Sequence, residues 1–366
     1  MSEIVNFEGN RAALLKGLQT GLGFELSELV PSDTEYRGVL SPQLLTTLMA
    51  PKVNSHVDKI FSYDQEDDIG AMPSGKRFDD KGNILVKPTT KQHTFRIPSL
   101  GLQYTVNCRD IANKRIPGTK DTPMSFEYIT AREQNRVVGA FDRYNELSAG
   151  TLLTTDSVNA LDGGLYYTAP NYYTDLVGGS RAAPTFTNLA ANTLSGYRDI
   201  TEAVVDSLEE KAQIAGRSVS RWVMVCGKDY FNGVRNLEAQ ENLAREIRGK
   251  DLAQEGLDML ADGDYANIRT LEGSDGIIYI KYTASVLTGS KLIADDKGYL
   301  FPVGVENMFT IELAPADTMA TVGKEAEAMY MWRQENKRGM SFEVESNRVW
   351  MNRLPQLVHV FDKDAS

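Results

Sequence analysis

The chain is poor in the residues that most often carry chemistry. Among 366 residues there are two cysteines, three histidines and three tryptophans. Cys108 and Cys226 lie far apart in sequence, which excludes a disulfide framework and suits a reducing compartment. His56, His93 and His359 show no ligand spacing with each other or with the cysteines, so no zinc site is expected. Basic residues are also in deficit: 39 Lys and Arg stand against 50 Asp and Glu, a net charge of -11. Such a surface neither grips nucleic acid by neutralising phosphates nor holds an anionic membrane. No apolar run approaches the length of a membrane span. The opening MSEIVNFEGNRAALLKG has Glu3 and no apolar core ahead of a small-residue cleavage site, so a secretory signal is not expected.

What remains is ordinary globular material, 42% hydrophobic and 24% charged. The length leaves room for two cores, and a two-domain molecule is the expectation. The strongest helical stretch runs from Thr122 to Gly150, with Thr122 as N-cap and Pro123 at the first helical position. Phe126, Ile129, Val137, Ala140, Phe141, Tyr144 and Leu147 share one face at spacings of three and four. Glu127, Arg132, Arg136, Asp142, Arg143 and Glu146 fall on the others, and Glu133 interrupts the apolar stripe. A stripe this thin predicts a helix lying across a sheet with much of its length exposed.

Residues 1–52 lean helical, with short candidates at Arg11–Leu18 and at Leu40–Met49, the latter capped by Ser41. Residues 53–98 hold two strand-like limbs, Val53–Tyr63 and Thr94–Ile97, around a long charged excursion with turn chemistry at Asp80-Lys81-Gly82. A polar insertion this long reads as a two-stranded arm leaving the body. After a loop-rich stretch containing Tyr166, Tyr167, Tyr172 and Tyr173, a second unit starts near Gly196. Its expected elements are a helix with Asp199 and Glu202 at capping-box spacing and stopped by Gly216, a buried strand Val219–Cys226, and a helix capped by Asp229. Strands follow at Ile277–Tyr282, Leu292–Ala294, Tyr299–Val303 and Phe309–Leu313. A hairpin then joins Ala328–Gln334 to Met340–Ser346 through Asn336–Gly339, and Leu357–Phe361 is the last strand.

No active site emerges from the motifs. Gly70-Ala71-Met72-Pro73-Ser74-Gly75-Lys76-Arg77 matches a phosphate-cradling loop except that Arg77 replaces the magnesium-binding hydroxyl. It follows Asp64, Glu66, Asp67 and Asp68, which repel phosphate, and precedes a turn instead of a helix. Asp262-Gly263-Asp264 and Asp295-Asp296 lack the spacing of a calcium loop. Cys226 on an apolar strand reads as core, and Glu209-Glu210 or Glu325 with Glu327 read as solvated faces. Catalytic, cofactor-binding and metal residues are all expected to be none, and the absence points to a structural or binding protein.

The C-terminal third carries a resemblance. Tyr299-Leu300-Phe301-Pro302-Val303-Gly304, Phe309, Leu313-Ala314-Pro315-Ala316-Asp317, Glu345-Ser346-Asn347 and Leu354-Pro355-Gln356-Leu357-Val358 occur in an order similar to that of the lambda-type (gpE-like) major capsid proteins of tailed bacteriophages. The chain departs from that pattern at Arg348-Val349, where the family often has Pro-Leu, and at Arg353-Leu354-Pro355. The resemblance implies an α+β, Hong-Kong-97-type fold: an N-terminal arm (1–52), an extended two-stranded loop (53–98), a peripheral domain (99–195) with a spine helix at 123–150, an axial domain (196–323), and return strands of the peripheral domain (324–366). It also implies a non-enzymatic, cofactor-free head protein partnered by itself in hexamers and pentamers of an icosahedral shell. That shell would be assembled in the host cytoplasm and would enclose DNA without sequence-specific binding and without a membrane. Scaffold, portal and decoration proteins are candidate further partners. The alternatives are an encapsulin-like nanocompartment shell and a two-domain enzyme with a site in residues 219–303.

Overall fold

The computed structural model describes residues 44–67, 89–112, 114–116, 123–158, 169–246, 270–273, 275–283 and 291–364. The helix expected at Arg11–Leu18, the Ser41 cap, the Thr122 cap, the phosphate-loop look-alike, the Asp80–Gly82 turn, Tyr166 and Tyr167, and Asp262–Asp264 lie outside these residues. The fold is α+β. It begins with helix α1 (Leu44–Met49) and strand β1 (Lys52–Ser55). An antiparallel hairpin follows, β2 (Ile60–Asp67) and β3 (Thr89–Arg96), in register from Ile60 opposite Arg96 to Asp67 opposite Thr89. Among the described residues these two strands pair only with each other.

Strand β4 (Gly101–Asn107) and a single turn α2 (Cys108–Ile111) lead to α3, which runs for 30 residues from Phe126 to Thr155. Its N-cap is Ser125, whose side chain accepts the Tyr128 N–H; Pro123 instead bridges to Arg115 outside the helix. The helix is far more buried than its stripe suggested. Gln134, Asp142, Glu146 and Ser148 are all inside, because sheets and α1 cover faces that an isolated amphipathic helix would leave wet. Asp156 ends it at φ 56 in the left-handed region, and Arg181 Nη1 donates to the Leu153 carbonyl at 2.5 Å, satisfying one of the orphaned last-turn acceptors.

The second unit contains β5 (Thr185–Phe186), α4 (Leu194–Ile214), β6 (Arg221–Cys226), α5 (Lys228–Glu246), β7 (Thr270–Glu272), β8 (Ile278–Lys281) and β9 (Lys297–Val303). Thr193, not Asp199, caps α4 through its side chain to the Gly196 N–H. Gly216 follows its end at φ 65, where a Cβ would be strained. Leu292–Ala294 is a bend and not a strand. The last part supplies β10 (Phe309–Ala314), β11 (Tyr330–Asn336), β12 (Gly339–Glu345), β13 (Asn347–Asn352) and β14 (His359–Asp362).

Strand order is β5-β14-β9-β6-β8-β7 in a six-stranded sheet, β1-β10-β13 in a second and β11-β12-β4 in a third. Two domain expectations need correction. Phe309–Ala314 does not stay with residues 196–303; it pairs antiparallel with β13 and parallel with β1. Conversely, His359–Asp362 does not return with the other C-terminal strands; it pairs with Lys297–Leu300. The two units are therefore stitched by crossing strands, and one core runs through both. Val223, Val225, Ile280 and Phe301 on one face of the six-stranded sheet join Leu152 and Leu153 of α3. Trp222, Met224, Cys226 and Leu300 on the opposite face form a separate core with Tyr197, Leu208, Tyr230 and Phe231 of α4 and α5. Alternation in β6 thus sends neighbours to different cores, which is why RWVMVC is apolar almost throughout.

Candidate functional site at the root of the hairpin arm

Strand β10 alternates. Phe309, Ile311 and Leu313 face one way, while Thr310 and Glu312, two apart, face the other. Parallel pairing sets Asn54 of β1 opposite Glu312, and the chain then turns so that His56 arrives over the same carboxylate. Glu312 is completely buried. It accepts from Thr310 Oγ1 at 2.6 Å, His56 Nε2 at 2.7 Å, Arg353 Nη2 at 2.9 Å and Asn54 Nδ2 at 3.0 Å. Burial alone pushes this carboxyl up; the bonds from Thr310, His56, Arg353 and Asn54 outweigh it and hold Glu312 below the usual 4.5.

Two of these donors, His56 and Arg353, also hold the arm. His56 stacks on Phe61 of β2 with ring centroids 4.7 Å apart, and Arg353 lies 4.9 Å over the ring of Tyr63. Phe61 and Phe95 are directly opposite in the hairpin and both buried, and Phe95 meets Tyr172 edge-on at 5.6 Å. Lys59 pairs with Asp317 beside Ser99, and the Ile97 N–H donates to the Lys59 carbonyl at 2.8 Å. Beyond this root, Asp64, Thr90, Lys91 and Gln92 are exposed. The arm is clamped at its base, and these residues beyond the root face outward.

Two further buried charges tie other elements together. Glu146 of α3 accepts from the Leu45 N–H at 3.0 Å, the Thr46 N–H at 3.1 Å, Thr46 Oγ1 at 3.1 Å and Tyr282 Oη at 3.1 Å. A carboxylate from another element thereby satisfies first-turn donors of α1 and reaches the end of β8. Here burial prevails, and the Glu146 carboxyl stands above its ordinary value. Arg348 of β13 is buried over Phe141, donating to Ser346 Oγ at 2.7 Å, the Ala328 carbonyl at 2.8 Å and Asn145 Oδ1 at 3.3 Å. Burial lowers its guanidinium to about 10. The sequence departs from the family pattern at this residue.

These groups are fasteners. Their lone pairs and protons face protein partners, and Cys226, buried, has its thiol raised well above the ordinary range. Asp295 uses its carbonyl to accept the Asp229 and Tyr230 N–H groups at the start of α5, and its carboxylate pairs with Lys291. Glu209 accepts from Trp222 Nε1 at 3.1 Å instead of lying on a solvated face. Among the described residues no three His, Cys, Asp or Glu side chains are grouped as metal ligands, and no helix is long and apolar enough to cross a membrane. His56 and His93 do lie on either side of the arm, but only His56 reaches the clamp.

Sequence reasoning missed Glu312, Glu146 and Arg348 as organising residues. The Thr-x-Glu pair in an otherwise apolar strand was a signal for Glu312. Nothing local marked Glu146, since its role depends on where α1 lands.

The clamp predicts a pH response. Glu312, with its value depressed, contributes stability that is full above 4.5 and lost as pH falls through the folded value. His359 of β14 accepts from or donates to Thr185 Oγ1 at 2.8 Å, and burial lowers it from 6.5 to about 4. Between those two values only the unfolded chain binds the His359 proton, so stability falls with pH there first. Denaturant midpoints measured from pH 7 to 3 should decline in two stages, and His359→Gln should flatten the earlier one. A midpoint independent of pH across this range would refute both assignments.

The family model described as phage major capsid protein E matches residues 37–359. A comparison with curated proteins finds no match. Among solved structures, the chain is similar to the capsid of cyanophage P-SCSP1u at 12% identity and a TM-score of 0.49, covering 99% of this chain and 100% of that one. It is similar to the cyanophage A-1(L) capsid at 13% identity and a TM-score of 0.48, covering 93% and 98%. It is also similar to the SrpI encapsulin of Synechococcus elongatus PCC 7942 at 12% identity and a TM-score of 0.46, covering 91% of each chain.

Proposed function

This chain belongs to the family of phage major capsid protein E, and from that premise we propose that it is the head subunit of a tailed phage, closing with copies of itself into an icosahedral shell of hexamers and pentamers around DNA. The observation that carries the assembly reading is the arm. A two-stranded hairpin is marginal in water, yet β2 and β3 pair only with each other among the described residues, beyond a root fixed by Glu312. The energetic remedy for such an element is the surface of a neighbour, repeated by rotation until contacts close. Net charge of -11 suits a container wall that must not bind its DNA tightly. In this reading β1, α3, β4 and β10–β13 form the peripheral part, the six-stranded sheet with α4 and α5 forms the axial part, and the role is structural with no catalysis. The subunit assembles in the host cytoplasm and resides in the virion.

Electron microscopy of the purified protein tests this. Closed shells are expected, and a monodisperse species of one or two subunits under all assembly conditions would refute it. Deleting Asp64 to Thr90 should leave a folded, soluble subunit that fails to close, since Phe61 and Phe95 stay at the root. Outright unfolding of that variant would place the arm in a core and overturn its assignment.

A further inference from the structure

The turn after β10 is built inside out. Thr321 is 2% exposed and donates its hydroxyl to the Ala316 carbonyl at 2.7 Å, and the Thr318 and Thr321 hydroxyls meet at 2.8 Å. The Thr321 and Val322 N–H groups donate to the Thr318 carbonyl at 3.1 Å, and Gly323 at φ 74 closes the turn. The hydroxyls are thus turned inward, while Met319 is 98% exposed and Val322 70%. A turn rigidified by its own hydrogen bonds normally shows water its polar side chains; this one presents two apolar ones.

Its neighbours extend the anomaly. The Ala326 N–H donates to the His56 carbonyl at 3.1 Å and Asp317 pairs with Lys59, so the turn sits beside residues 56–60. Val57 and Ile60 on that segment, and Val53 of β1 just before it, are also exposed, and these with Met319 and Val322 account for five of the nine exposed large hydrophobic residues among the described residues. Single exposed apolar residues need no explanation, but a cluster from three adjoining segments does.

We infer that Met319 and Val322 form a preorganised apolar knob that, with Val53, Val57 and Ile60, docks on a second copy of this chain. The size of the patch selects the occupant. From their exposures the five side chains offer on the order of 500 Å², short of the ~800 Å² per partner of a stand-alone complex. A contact that small does not hold an isolated partner protein, yet it suffices where many copies close a ring, and rigidity of the turn lowers the ordering cost of docking. The choice of a second copy rests on the shell reading above.

The test places a benzophenone-bearing amino acid at position 319 of the full chain and mixes isotopically heavy and light protein before irradiation. Heavy–light crosslinked peptides from position 319 are expected, and Met319→Glu with Val322→Glu should raise the concentration needed for assembly about tenfold while the thermal midpoint stays unchanged. Shells that form without heavy–light crosslinks, or that form equally well in the double variant, would overturn the knob and leave the shell reading standing. Heavy–light crosslinks in a protein that forms no shells would support the knob and refute the shell. Neither crosslinks nor shells would refute both.

Discussion

Gly227→Ala is expected to unfold the six-stranded half of the subunit. A Cβ at this position would stand 1.9 Å from the Ala294 carbonyl oxygen and 2.6 Å from Asp295 Cα. Both obstacles are backbone, so no side chain can swing aside. The turn they belong to is itself in use: the Gly227 N–H donates to the Lys297 carbonyl at 2.9 Å, and the Asp295 carbonyl accepts from Asp229 and Tyr230 at 2.9 Å each. Making room for one methyl group moves that turn away from the start of α5, which strands first-turn donors above a dry core. Overpacking with lost backbone bonds costs roughly 3–5 kcal/mol. For a unit of this size the midpoint should fall by roughly 10 °C. Gly101→Ala is the control, since its new Cβ would find nothing nearer than 3.9 Å. Calorimetry showing Gly227→Ala within 2 °C of the parent, by the ~2–4 °C per kcal/mol scale, would mean the close approach is not as described.

The second large effect belongs to Glu312. Glu312→Ala removes the acceptor shared by Thr310, His56, Arg353 and Asn54. What remains is a guanidinium next to Tyr63 without its carboxylate, together with a cavity in the middle of a three-stranded sheet. Breaking a buried pair from one side costs on the order of 3–5 kcal/mol, mostly through the charge left behind. Glu312→Gln keeps the shape and part of the bonding, so its loss should be smaller. The location of the damage is the sharper readout. Amide exchange should speed up in β2 and β3, whose root this carboxylate fixes, before it does so in β6 or β9 of the six-stranded sheet. Uniform exchange changes across the molecule, or none in the hairpin, would show that Glu312 supports the core without holding the arm.

Much of this architecture was readable in the chain itself, element by element. Alternation marked β11 and β12 and a continuous apolar run marked β6 as buried, because side-chain direction in a strand is a local property. The polar excursion after Tyr63 marked an arm, and the order of motifs from Tyr299 to Val358 pointed to the family that the match over residues 37–359 establishes. Boundaries slipped where caps compete: Ser125 and Thr193 each start a helix that Thr122 and Asp199 also had the chemistry to start.

Other features had no local signature. Asn347–Asn352 is a fully buried strand containing Arg348 and two asparagines, a composition that reads as loop until Ser346, Ala328 and Asn145 arrive to satisfy it. Glu146 sits among exposed-looking charges until α1 brings two N–H groups to it. By itself the sequence determined most of the elements and pointed to an arm, since those depend on side-chain period, composition and turn chemistry within a few residues. Only the tertiary structure decided that Phe309–Ala314 and His359–Asp362 cross between sheets and that three buried charges fasten the arm and the long helix. Burial of an ionised group is stable only when distant donors or acceptors converge on it, and that convergence is a property of the folded chain as a whole.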